Sequence, residues 1–96
     1  MRSLEKINKN IDISDLKIGD FYVFEISEYY SVEDVTWVAR FMGIDGDQIV
    51  SDETCFIEPN GVTPSYISGL GNMVSIDDVV SIRRDRNMVK KYFPSV

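Results

Sequence analysis

The chain has 96 residues, 44% of them hydrophobic and 11% aromatic, with ten bases, sixteen acids and a net charge of −6. That describes one domain with a modest core, outside the disordered range and without room for a second core. It holds no histidine and one cysteine, Cys55, which excludes Ser-His and Cys-His nucleophilic centres, zinc sites built from the usual ligands, and an internal disulfide.

In chain order, the N-terminal MRSLEKINKNIDISDL is polar, with Leu4, Ile7 and Ile11 spaced for one or two helical turns. KIGD (17–20) reads as a turn, and FYVFEI (21–26) as a strand covered on both sides, with Phe21 and Val23 on one face and Tyr22, Phe24 and Ile26 on the other. SEYYSVEDV (27–35) reads as an acidic, tyrosine-bearing loop, and TWVARFMGI (36–44) as a strand with Trp37, Ala39 and Phe41 on one face. Asp45-Gly46 predicts a tight turn folding 36–44 against 47–57, because Asp-Gly tolerates the positive φ of a two-residue hairpin loop. Counting out from that turn sets Phe41 opposite Val50, Met42 opposite Ile49, and Arg40 opposite Ser51 with Glu53 diagonal to it, so an acid occupies the one base of this region. Residues 58–72, with two prolines, three glycines and two asparagines, predict an excursion from the sheet. MVSI (73–76) reads as a short strand, DD (77–78) as a tight turn, VVSIRR (79–84) as a last strand, and NMVKKYF (87–93) as one or two helical turns stopped by Pro94.

These elements predict a mainly β fold: a small, strongly bent sheet of four to five antiparallel strands, or a barrel, with short helical turns at the termini. The order of elements from Ile18 to Arg84 resembles an SH3-like small barrel, and the long 58–72 segment leaves an α+β fold as the alternative. The domain reading is an N-terminal arm (1–17), a β-barrel domain (18–84) and a basic tail or short helix (85–96). SH3-like barrels serve many functions, so architecture alone assigns none.

No residue pattern points to catalysis or to a cofactor. Cys55 sits in a predicted strand with no base near it in sequence, so it reads as a packing residue. DGDQIVSDE (45–53) imitates a calcium loop but fails its register, with Ile49 at the fifth position, Val50 at the sixth and Phe56 at the twelfth. Gly69-Leu70-Gly71 lacks the strand–glycines–helix context of a phosphate cradle. The chain is expected to be non-enzymatic and to need no metal or cofactor. It has no apolar run of membrane-spanning length, and its first 17 residues mix Arg2, Lys6, Lys9 and Lys17 with Glu5, Asp12 and Asp15, unlike a signal peptide. With its lone cysteine this points to a soluble protein of a cytoplasm.

Charge is the informative feature. Between Ile18 and Val79 stand twelve acids and one base, Arg40; Arg83, Arg84, Arg86, Lys90 and Lys91 follow in the tail. Three readings apply to the acidic body: a solvated face that keeps the protein soluble, an imitation of nucleic acid, or a peptide-binding module. In size and acidity the chain resembles virus-encoded inhibitors of host defence, including DNA-mimic anti-restriction and anti-CRISPR proteins; that likeness implies a basic, nucleic-acid-handling protein partner. Glu28, Tyr29, Tyr30, Glu33, Asp34 and Trp37 together resemble the acidic, aromatic loop of true SH3 domains, which implies proline-rich peptides, although Trp37 alternates with Ala39 and Phe41 as a core residue does. The nominated partner surface is Glu28, Tyr29, Tyr30, Glu33, Asp34, Asp45, Asp47, Asp52 and Glu53. Of Tyr29 and Tyr30, adjacent in an extended segment, one is exposed. The basic tail is expected to dock across the acidic body as a counter-charge, with head-to-tail self-association through that tail as its other use; no nucleic acid and no membrane is expected as a direct partner.

Overall fold

The computed structural model describes residues 11–60 and 64–96, with Leu70 described by its backbone alone. Five strands, β1 (Phe21–Tyr29), β2 (Val32–Asp45), β3 (Gln48–Ile57), β4 (Ser65–Ser75) and β5 (Val79–Arg83), form one antiparallel sheet in the order β4-β3-β2-β1-β5. Short 3₁₀ turns at Ile13–Asp15 and Ile76–Asp78 and one helix, α1 (Arg86–Tyr92), complete the described elements. The protein is mainly β, as its sequence predicts. Of the two forms expected, it takes the bent sheet: β4 and β5 are the outermost described strands, and the sheet is not closed into a barrel. The helical turns expected around Leu4 and Ile7 fall outside the described residues.

The sheet bends at its bulges. A straight 14-residue β2 would run roughly 43 Å at the usual strand rise, against 39 Å along the longest principal axis of the molecule. Register shifts lie side by side across the sheet: at Ala39–Gly43 in β2, at Ser51–Glu53 in β3, and opposite the latter at Ser68–Asn72 in β4. Between Ser51↔Asn72 and Glu53↔Ser68, β3 passes one residue while β4 passes three, and Gly69 and Gly71 take φ of 102° and 107° there. Such bulges kink a strand and increase its twist. Ser51 and Thr54, buried on either side of this line, satisfy each other through their hydroxyls.

Both faces of the sheet are covered. On the concave side Tyr22, Phe24, Ile26, Val35, Trp37, Ala39, Phe41, Ile49 and Phe56 form the main core, with Ile11, Ile13 and Leu16 packed against it. On the other side Val23, Val38 and Cys55 are covered by Val89, with Met88, Tyr92 and Phe93 beside it. The alternation read for β1 is therefore the one observed, and Trp37 and Cys55 are fully buried packing residues. Burial pushes the Cys55 thiol pKa up, the direction of an unreactive thiol.

The tail docks, and it does so mainly by apolar contact. Asp85 caps α1 by accepting the Met88 N–H. Of the tail bases, Arg83 pairs with Glu25 at 2.8 Å and Arg84 with Asp20 at 2.9 Å, while Arg86, Lys90 and Lys91 form no ion pair with a described residue.

Three expectations are corrected. Residues 27–35 are the ends of two strands joined by the two-residue turn Tyr30-Ser31, with Tyr29 facing Val32. The second hairpin turns on Gly46-Asp47 rather than Asp45-Gly46, so Asp45 faces Gln48, Gly43 faces Val50 and Phe41 faces Ser51; Gly46 at φ 63° takes the first turn position, where a II′ loop wants glycine. Arg40 still meets an acid, but Asp52 instead of Glu53. Most of the 58–72 segment is strand β4, whose glycines form a bulge instead of leaving the sheet.

Candidate functional site: an acidic rim with an aromatic tip

The β1–β2 hairpin ends in an arrangement that neither residue type nor charge favours locally. Tyr30 and Ser31 have φ of 48° and 70°, the left-handed pair a I′ turn requires, without the asparagine or glycine that adopts it cheaply. Just below, Glu28 and Glu33 are direct cross-strand partners, a like-charge juxtaposition that destabilises a sheet. Asp34 is the third non-glycine residue at positive φ, 58°, and its role is visible in the packing. Val35, Trp37, Ala39 and Phe41 face the core at alternate positions; continued strictly, that alternation would bury Glu33. Below Asp34 the parity switches, so Val32 and Tyr29 pack on the core and the carboxylates of Glu28 and Glu33 remain exposed.

The switch also builds an aromatic column. Trp37 stacks on Phe56 (5.8 Å between ring centroids), Phe56 on Tyr29 (4.3 Å), and Tyr29 meets Tyr30 edge to face (4.5 Å). Tyr30 is 85% exposed. Burial, then the neighbouring Tyr30, raises the Tyr29 phenol above its ordinary range. Beside the column a groove of about 230 Å³ is lined by Tyr29, Val32, Val35, Phe56 and Ile67, with Glu58. Of the two tyrosines one is exposed, as the sequence indicates, and the column beneath holds it in place.

The two ends of β2 carry the two acidic hairpin tips, and the 3₁₀ turn Ile76–Asp78 links them. Ile76 N–H donates to the Asp47 carbonyl at 2.8 Å, and Ser27 Oγ donates to the Asp78 carbonyl at 3.2 Å. A 3₁₀ turn rises ~2 Å per residue, so these contacts stand close together along it. Glu28, Glu33 and Asp34 on one side, Asp77 and Asp78 in the middle, and Asp45 and Asp47 on the other thereby follow one rim, with Glu58 across the groove. None of the eight forms an ion pair with a described residue, and no base occurs in 26–34, 44–48 or 75–79.

Of the nominated residues, Glu28, Tyr29, Tyr30, Glu33, Asp34, Asp45 and Asp47 belong to this rim. Asp52 and Glu53 lie in the middle of β3 instead. Asp52 accepts from Arg40 Nε at 2.8 Å and Nη2 at 2.6 Å, and that fork holds its carboxyl below the ordinary range; Glu53 accepts from Ser68 Oγ at 3.2 Å. Asp77, Asp78 and Glu58 were not nominated. The DD pair was legible as a turn, but its place between the two tips depends on the bend of the sheet. Trp37 lies too deep to line a peptide groove. Among the described residues no acids or cysteine cluster as a metal site would require, and no helix is long and apolar enough to cross a membrane.

The chain matches no protein-family model and no curated protein.

Proposed function

We propose that this is a non-enzymatic binding protein, an inhibitor or adaptor whose acidic rim engages a basic, nucleic-acid-handling protein. The observation that carries the reading is the β1–β2 tip, where an exposed tyrosine on a strained turn crowns two facing glutamates that pair with no base among the described residues. Strain of this kind persists where the surrounding structure enforces it, and it collects at functional sites. Charge steers and selects a partner, but a desolvated anchor supplies most of the affinity. Tyr30 is such an anchor, prearranged by the column under it. The groove beside it, apolar with one carboxylate, suits the stem and head of a partner's lysine or arginine.

The magnitudes favour imitation of nucleic acid over simple solvation. Duplex DNA carries one charge per ~1.7 Å of axis, so a length of about 30 Å holds about 18 charges and presents roughly half on one side. Eight carboxylates along one rim, none of them ion-paired with a described residue, are of that order, and the screening length of ~8 Å makes a gathered set count where a scattered one would not. A DNA-mimic inhibitor of host defence, of the anti-restriction or anti-CRISPR kind, is the form of partner inhibition this surface suits. The groove keeps a second reading in play, a peptide-binding module.

The test is a pull-down with tagged protein from nuclease-treated host lysate, eluted by a salt gradient, beside a variant carrying Glu33→Lys, Asp45→Lys and Asp77→Lys. We expect a nucleic-acid-binding protein released at moderate salt and missing from the variant, whose circular dichroism is unchanged. Full-strength capture by the variant would overturn the rim. Recovery of proline-rich proteins independent of salt would transfer the function to the groove.

A further inference from the structure

The two outermost described strands are finished differently. At β5, the Ile11 N–H donates to the Ile82 carbonyl at 2.7 Å, and the strand ends at Arg83 with Arg84 next to it. At β4, the outer side pairs with no described strand. Open edges are normally guarded by charge or by covering. Here the guard is missing in sequence too: from Pro59 to Ile76 there is no charged residue, where the chain's average of 27% would place about five. Tyr66 and Ile67 are 55% and 41% exposed on this edge.

We propose that the Ser65–Ser68 edge of β4 pairs with the same edge of a second copy of this chain, antiparallel about a twofold axis. Symmetry explains the absence of charge. In an isologous contact every residue of the strip recurs across the axis within a few residues, so a charge there would be brought close to its own copy across the ladder. An edge built for a basic peptide would gain from carboxylates, yet of the twelve acids between Ile18 and Val79 none falls in 59–76. Two carboxylates lie near the strip: Glu58 lines the groove that Ile67 borders, and Glu53 sits one strand in and bonds to Ser68. Its counterpart in the second copy would lie three strand spacings away, ~14 Å, beyond the screening length at physiological salt. Tyr66 leans edge to face on Phe93 at 5.7 Å, so the C-terminal segment backs the strip on one side while Ile67 borders the groove on the other. The bulge at Gly69–Gly71 limits the straight strip to four residues; an interface this short is weak and fills at high concentration.

Sedimentation velocity over a concentration series, with amide hydrogen exchange read on the same samples, tests this. The expected result is a mass rising from monomer to dimer, with exchange at residues 65–68 slowing at least severalfold in step. Ile67→Lys and Ile67→Glu should each stay monomeric, and an equal mixture of the two should dimerise again, which shows that both variants are folded. A wild-type monomer at its solubility limit with concentration-independent exchange would overturn the proposal. So would a dimer that Ile67→Lys leaves intact, since it would use another surface. Neither result depends on the acidic rim.

Discussion

The two hairpin tips that bound β2 solve the same geometric problem with opposite chemistry. At Gly46-Asp47 a glycine takes the positive φ, and open space surrounds the position where a Cβ would stand. At Tyr30-Ser31 two residues with full side chains take it instead, and the first is a tyrosine held in solvent. The first turn is selected for folding. The second costs folding energy that a Gly or Asn would save, and the tyrosine is what it presents in return. The two ends of one strand thus turn by different means, one through a glycine and the other through two residues with side chains held at positive φ.

That contrast can be broken most forcefully from beneath. Phe56 joins Trp37 to Tyr29 in the column, so Phe56→Ala should cost about 3–5 kcal/mol in urea denaturation and release Tyr29 and Tyr30. A loss under about 1 kcal/mol would mean the column does not hold the tip. Relaxing the strained turn should work in the other direction. Tyr30→Asn with Ser31→Gly should raise stability by about 1 kcal/mol, since both residues suit the left-handed region, while weakening capture of the partner about tenfold or more. Unchanged binding in that variant would remove the tyrosine from the proposed site. At the other tip, Gly46→Ala should destabilise by about 1 kcal/mol through backbone strain alone and leave partner capture untouched.

The smallest effect concerns the body's single base. The carboxyl of Asp52 is held below its ordinary range, chiefly by its hydrogen bonds from Arg40. A lowered folded-state value means that its contribution is complete above the unfolded carboxylate pKa of ~3.9 and is lost as pH falls through the folded value. The pair is partly exposed, so screening keeps its worth to about 1 kcal/mol or less. Stability of wild type relative to Asp52→Asn should therefore shrink as the pH drops below about 4. A constant difference over that range would mean the fork contributes nothing through its charge.

Much of the fold was legible because it depends on local pattern. The alternation of Tyr22, Phe24 and Ile26 against Phe21 and Val23 places two faces whatever the neighbours do. Asp45-Gly46 announces that a turn occurs near 46, Pro94 stops α1, and the acids of the body outnumber its bases. The readings that failed are those in which a local rule met a tertiary demand. YYSVED carries no Gly, Asn or Pro, because its hairpin is enforced by pairing along both flanking strands and by the packing of Tyr29 and Val32 against the core. SGLGN looks like a loop, yet its glycines are spent on a bulge that keeps β4 beside β3.

By itself the sequence determined composition-level properties: a single β-rich domain, the residues of its core, a body whose acids outnumber its bases, and a tail that returns some of that charge. The tertiary structure decided what lies beside what. Local propensity acts over a few residues, whereas the meeting of Asp47 with Ile76 and of Ser27 with Asp78 requires the whole sheet to bend along a line set by bulges in three strands. Only that bend makes one rim of two distant acidic tips, and only the strand order leaves β4 outermost among the described strands.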